Sequence, residues 1–348
     1  MTYLRGMQRR YGVIAIGGNA ILRKGQSADP DTQMSNLRIA VDKLAVALER
    51  YNSFALTHGN GPQVGNDLIR SASAYQLDNL PELGLADCVA NTQGRIGHWI
   101  IRQMKNHLRF REYPTACVLT HVYVEKDSFS QEEYIKYVGP WRPNDEDTRR
   151  DLDNRGIVYA VPDGQSERLR RVVPSPMPYA IEEFGIIANL LENGVITICC
   201  GGGGIPVYDP ARGKDRIEAE GDHFRQSEVV IDKDRASALL ASNLLSYFDG
   251  VEVELVILMD AKGLYRDARC REEDFIPRMT LAELKEFLNN NDLDPGSIRP
   301  KLEGIAQFLE SGGKRAFLGP LSDFEQVYIP DSPAGTVFVQ TGQLGLYD

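Results

Sequence analysis

Apolar positions along the chain follow two rhythms. One is a set of short unbroken runs that end in glycine or a polar turn: "YGVIAIGGNA", "FALTHGNGPQVG", "TACVLTHVYV", "GVITICCGGGG" and "VELVILMDAKGLY". Strands buried on both faces read this way, because neither side of the pleat needs a polar residue. The other rhythm is apolar residues three and four apart, as in "MSNLRIAVDKLAVALERY" and "RASALLASNLLSYF", which predicts amphipathic helices. Strands alternating with helices predict an α/β protein built on a mainly parallel sheet. In "GVIAIGGNAIL", Gly12 to Leu22, the pattern predicts a buried parallel strand, a glycine turn and a helix start, a geometry in which backbone amides crowd toward an anion.

Two polar stretches interrupt the alternation. Residues from about 125 to 178 carry "NDEDTRRDLDNRG" and "GQSERLRRVVPSPMP", and read either as a solvated insertion or as a small lid projecting from the sheet. The second, "YDPARGKDRIEAEGDHFRQSEVV", marks the passage between two halves. The expected division is an N-terminal lobe, 1–210, that includes the insertion, and a C-terminal lobe, 211–348.

Composition narrows the function. With 348 residues, 42% of them hydrophobic, the chain can bury a large core. A net charge of -10 argues against a broad nucleic-acid surface, which needs clustered Lys and Arg, but leaves room for a small anion held by a few local lysines. No apolar run approaches the roughly 20 residues of a membrane span, and "MTYLRGMQRRYG" has no signal-peptide core, so the protein is expected in the cytoplasm with no membrane partner. Cys88, Cys117, Cys199, Cys200 and Cys270 form no CxxC pair; reduced, mostly buried thiols are expected rather than a disulfide frame or zinc site.

Three glycine segments, Gly17–Ala20, Thr57–Gly65 and Cys200–Val207, each follow a predicted strand. In a parallel sheet all three lie at the carboxyl edge, where open α/β sheets bind ligands, although each taken singly could be only a tight turn. None has the GxxxxGK[ST] spacing of a P-loop. Lys233, between Asp232 and Asp234, and Lys301, in "GSIRPKLEG", each open a helical run. A lysine at a helix N-terminus adds its charge to the free amides there and suits a transferred phosphoryl group; Lys233 could equally be a solvated neighbour of a helix cap.

The segments "AIGGNAIL", "THGNGPQVGN", "NTQGRIGHWI", "RRVVPSPMP", "CCGGGGIPV", "VIDKDRASALLA", "GSIRPKLEG" and "GKRA" occur in the order and at about the spacing seen in carbamate kinases, of the amino acid kinase superfamily. The resemblance covers Gly12 to about Thr336. It implies a three-layer αβα sandwich with a small protruding subdomain, an N-terminal half for the acceptor and a C-terminal half for ATP or ADP, magnesium, and a homodimer. It further implies phosphoryl exchange between ATP and carbamate, giving carbamoyl phosphate.

Position by position, the resemblance implies that Gly17, Gly18 and Asn19 form the first phosphate and acceptor loop, faced by Gly59, Asn60 and Gly61. Lys233 and Lys301 offset charge on the nucleotide phosphates, Asp234 orients them, and Lys136 is lowered over the acceptor. Tyr265 is a candidate nucleotide contact, and Arg299, a forked donor two residues before Lys301, is either a nucleotide contact or a loop side chain that faces solvent. No protein carboxylate cage for a metal is expected, since magnesium would sit on phosphate oxygens and water. The chain departs from the family pattern where GSMGPK reads Gly296-Ser297-Ile298-Arg299-Pro300-Lys301, where PTKPIG reads Tyr134-Ile135-Lys136-Tyr137-Val138-Gly139, and where TDVDGVY reads MDAKGLY. These changes bear on acceptor and nucleotide choice. A kinase for another small carbamate or carboxylate, and a silent nucleotide-binding regulator, are therefore the alternative expectations.

Overall fold

In the computed structural model, residues 8–125, 128–162, 164, 166–211, 224–266, 271–327 and 334–340 are described; Cys270 and residues 212–223 of the passage between the halves lie outside them. The central sheet has eight strands, in the order Arg278–Thr280, Thr336–Val339, Arg315–Pro320, Glu252–Met259, Arg10–Ile16, Ser53–His58, Ile196–Ile198 and Thr115–Cys117. Every pairing is parallel except that of Arg315–Pro320 with Thr336–Val339. Ser53–His58 is buried throughout and Arg10–Ile16 and Glu252–Met259 nearly so, as the unbroken apolar runs predict.

Alternation along the strands divides the core in two. Val13, Ala15, Ala55, Leu255 and Ile257 point to one face, where the helices Phe184–Glu192, Lys233–Tyr247 and Ile298–Glu310 cover them. Ile14, Ile16, Leu56, Val256 and Leu258 point to the other, under the helices Pro30–Leu44 and Leu85–Asn106. The architecture is α/β, with helices on both faces of a mainly parallel sheet. The strands from the first 210 residues lie on one side of the junction between Arg10–Ile16 and Glu252–Met259, those from later residues on the other. One sheet therefore runs through both halves of the sequence.

The charged insertion forms a three-stranded sheet, Tyr134–Pro143, Arg168–Pro174 and Tyr159–Ala160, with a helix, Glu146–Asn154. Its strand Tyr134–Pro143 lies against the helix Gly61–Asp78, with Gly139 backbone opposite Gly65.

One expectation is corrected. After the first strand the chain makes only a 3-10 turn, Gly18–Ala20, and the helix begins at Pro30. The helix start needs a cap. Asp29 supplies it by accepting from the Thr32 amide at 2.8 Å, with proline at the first helical position.

Candidate active site

The sheet's carboxyl edge carries a cavity of ≈ 360 Å³ whose walls include Gly17, Gly18, Asn19, Lys233, Asp260 and Lys301. Each wall has a local cause. The first strand delivers Gly17–Asn19 and ends in the 3-10 turn, where Ala20 and Ile21 amides bond back to Gly17 and Gly18 carbonyls. Lys233 is the first residue of its helix because Asp232 caps it, accepting from the Asp234 amide at 2.9 Å. Lys301 is in the opening turn of the Ile298–Glu310 helix and donates to the Ser297 carbonyl at 3.0 Å.

Asp234, 1% exposed, joins the two lysines across 68 positions of sequence: Lys233 Nζ bonds one carboxylate oxygen and Lys301 Nζ the other, at 3.0 Å. Burial depresses the Lys233 ammonium, and the Lys301 charge adds to this, so that its pKa lies below the ordinary lysine value in spite of Asp234. For Lys301 burial acts the same way, but Asp234 and Asp232 outweigh it and raise the pKa. Two largely buried ammonium groups thus share one buried carboxylate and face a cavity, an arrangement that an incoming polyanion completes.

The insertion contributes Lys136. Its Nζ lies 2.9 Å from Asp232 Oδ2 and 3.2 Å from the Gly296 carbonyl, between the starts of the helices that carry Lys233 and Lys301. Burial raises the Asp232 carboxyl, but the Lys136 and Lys233 ammonium groups overturn this and hold it down at about 2.

Gly59, Asn60 and Gly61 stand behind the first loop. A Cβ on Gly59 would lie 2.9 Å from the Gly18 amide nitrogen, so glycine permits the two loops to touch. Asn60 is not a free donor pointing at solvent: it is buried and its side-chain amide donates to Thr92 Oγ1 at 2.8 Å. Asn19 likewise spends one N–H on Asp260.

The third glycine segment differs from expectation more strongly. Gly201 to Gly204 are all buried, absent from the cavity wall, and lead into the strand Ile205–Tyr208. Gly202 and Gly203 have φ of +66° and +96°, and a Cβ would come within 2.0 Å of Asn60 Nδ2 and of the Ile231 carbonyl oxygen. The segment is a packing hub beneath the second loop.

Arg299 turns away from the cavity. As the second residue of its helix it meets Glu303 one turn on, at 3.6 Å, and reaches the Asn291 carbonyl at 3.5 Å. Tyr265 lies in a hairpin with its ring edge-on to Phe275, also outside the cavity wall. Lys262, in place of the family's second aspartate, pairs with Glu272 and lies over the Phe275 ring at 4.6 Å. Sequence reasoning missed Asp260; its signal is a carboxylate directly after a buried strand that ends at the ligand edge.

His58 is buried, with Nδ1 3.0 Å from the Gly59 carbonyl, and burial, aided by Lys233, pushes its pKa down to about 4. The four described cysteines are free, Cys117 half-buried and the others buried. Among the described residues no helix is long and apolar enough to cross a membrane, and no group of three or more His, Cys, Asp or Glu is placed to hold a metal ion.

This sheet, with glycine loops and lysine-bearing helix starts gathered at its carboxyl edge, defines a class: residues 11–319 match the profile of the amino acid kinase family, and the chain belongs to it. Within that class it is similar to carbamate kinase of Thermococcus kodakarensis, 35% identical over 312 residues that cover 89% of this chain and 93% of the relative. It is similar also to carbamate kinase 2 of Enterococcus faecalis, 34% identical over 336 residues, covering 95% and 99%. Among solved structures, carbamate kinase from Giardia lamblia bound to AMP-PNP superposes with a TM-score of 0.79 at 29% identity, covering 96% of this chain and 99% of that one.

Proposed function

We propose that the protein is a carbamate kinase that exchanges a phosphoryl group between ATP and carbamate, giving ADP and carbamoyl phosphate. The observation that carries this reading is the convergence of Lys233 and Lys301 on Asp234 at the wall of a cavity closed on its other side by Gly17–Asn19. A carbamate oxygen is already anionic and requires no strong base, so catalysis reduces to alignment and to offsetting charge on the transferred group. Backbone amides of the Gly17–Asn19 turn and the two ammonium groups are donors for that charge. His58, neutral and buried, has no step to perform.

The nucleotide occupies the side of the cavity formed by the C-terminal half, with Lys301 and Lys233 toward its phosphates; the acceptor lies toward Gly59–Gly61 and the insertion. Magnesium fits as an ion carried by phosphate oxygens and water, with Asp260 the protein carboxylate at hand on the cavity wall. A homodimer and a cytoplasmic location belong to the same reading, by analogy with the family.

Purified protein with ADP, carbamoyl phosphate and magnesium should form ATP in a coupled assay. Absence of ATP from folded protein would remove the reading. The second reading, a kinase for another small carbamate or carboxylate, is favoured by the insertion's strand, which keeps Lys136 but lacks both prolines of the family pattern. ATP formed from another acyl phosphate, and none from carbamoyl phosphate, would select it.

A further inference from the structure

Asp232 does two jobs with its two carboxylate oxygens. Oδ1 accepts from the Asp234 amide at 2.9 Å and caps the Lys233 helix, while Oδ2 holds Lys136 Nζ at 2.9 Å across 96 positions of sequence. The cap alone gives no reason for a carboxylate. Ser, Thr or Asn caps a helix about as well, and a charge that is only 7% exposed carries a desolvation cost that a neutral cap avoids. The Lys136 ammonium group brought in from the insertion, with Lys233 beside it, accounts for the charge. The same Lys136 donates to the Gly296 carbonyl, next to Ser297, whose own carbonyl accepts from Lys301. The insertion's lysine is thus fixed against the starts of both helices that carry cavity lysines, yet Asp232 itself is absent from the cavity wall.

We infer that Asp232 is a positioning residue that latches the insertion onto the nucleotide half and sets Lys136 at the edge of the phosphoryl-transfer cavity. This rests on the kinase reading for its catalytic consequence, but the latch itself is independent of which acceptor is used. It makes lid closure and the placement of Lys233 properties of one side chain. The burial of Asp232 agrees with this, since a carboxylate only 7% exposed is costly to leave without its ammonium partner.

The experiment compares the parent, Asp232→Asn, Lys136→Met and the double variant. Asn keeps an acceptor for the Asp234 amide and loses the charge. Two readouts are taken: hydrogen exchange of the amides in Tyr134–Pro143, which needs no substrate, and steady-state kinetics with ADP and the acyl phosphate found to be used. We expect Asp232→Asn to speed exchange in that strand about 10-fold and to lower kcat/KM for the acyl phosphate about 10-fold, with ADP affinity within about 2-fold of the parent. In the Lys136→Met background the same change should add less than about 2-fold to either readout, because the partner is already gone. Unchanged exchange in Asp232→Asn would overturn the latch, leaving a helix cap only. Effects of the two substitutions that multiply in the double variant would overturn action through Lys136. A parent inactive on every acyl phosphate would fail the kinase reading while the exchange comparison still judges the latch.

Discussion

At the scale of single residues, the charges at the site are not interchangeable, because each is buried with a different number of partners. On the proposed kinase reading, Lys301→Ala removes one donor to the transferred group and leaves Asp234 with Lys233, so a loss of about 100-fold to 1000-fold in kcat is expected with a modest fall in Tm. Asp234→Asn removes the buried carboxylate that two largely buried ammonium groups share, and urea unfolding should show a loss of roughly 3–5 kcal/mol, the scale of breaking a buried pair. His58 provides a pH signature. Its ordinary pKa of 6.5 falls to about 4 in the folded chain, so between these values the unfolded state binds more protons and stability falls as pH falls. The neutral form's stability is complete above about pH 6.5 and lost toward pH 4, by about 3 kcal/mol in total for this one group. His58→Gln should flatten that part of the stability profile measured by denaturant titration; an unchanged acid limb would assign it to other groups.

At the scale of elements, two glycine segments that look alike in sequence should respond oppositely to a methyl group. Gly18 has nothing within 4 Å of a Cβ and lines the cavity, so Gly18→Ala should keep the parent's Tm and, on the proposed kinase reading, lose activity as the methyl enters the cavity. Gly203, with φ of +96° and the Ile231 carbonyl in the way, should lose several degrees of Tm on change to Ala. Equal Tm values would show that the packed segment can yield. This contrast also marks the limit of what the sequence discloses. Arg10–Ile16 and Glu252–Met259 are legible as buried strands because an element apolar on both faces has few other uses, and the start of the Lys233 helix is legible because Asp232 is a cap of the ordinary kind. Which glycine faces a ligand and which faces Asn60 depends on residues more than a hundred positions away, and spacing carries no such information. Arg299 illustrates the reverse: its i,i+4 partner Glu303 stands four residues downstream in the sequence, but a local ion pair and a phosphate contact leave the same trace there. Lys136 on Asp232 and Asn19 on Asp260 are likewise tertiary pairings between distant segments.

At the scale of the whole molecule, the sheet joins the halves more tightly than a division at residue 210 suggests. Seven consecutive residues, Arg10 to Ile16, pair with Glu252 to Leu258 along one edge, and Tyr11 to Ile16 pair with Ser53 to His58 along the other. A fragment of residues 1–210 keeps the second partner and loses the first. It should therefore aggregate or remain partly unfolded on expression, whereas a monomeric fragment with a cooperative melt would show that the first half is a domain in its own right. The central position of the first strand also has a meaning in time. At roughly 5–20 residues per second, the ~240 residues between Ile16 and Glu252 take on the order of 10–50 s to synthesise. For that interval on the ribosome, the strand that ends at the Gly17–Asn19 turn has one bare hydrogen-bonding side, open to any strand nearby, including that of a chain on the next ribosome. Slowing translation late in the message would lengthen this exposure without altering a single contact of the finished fold.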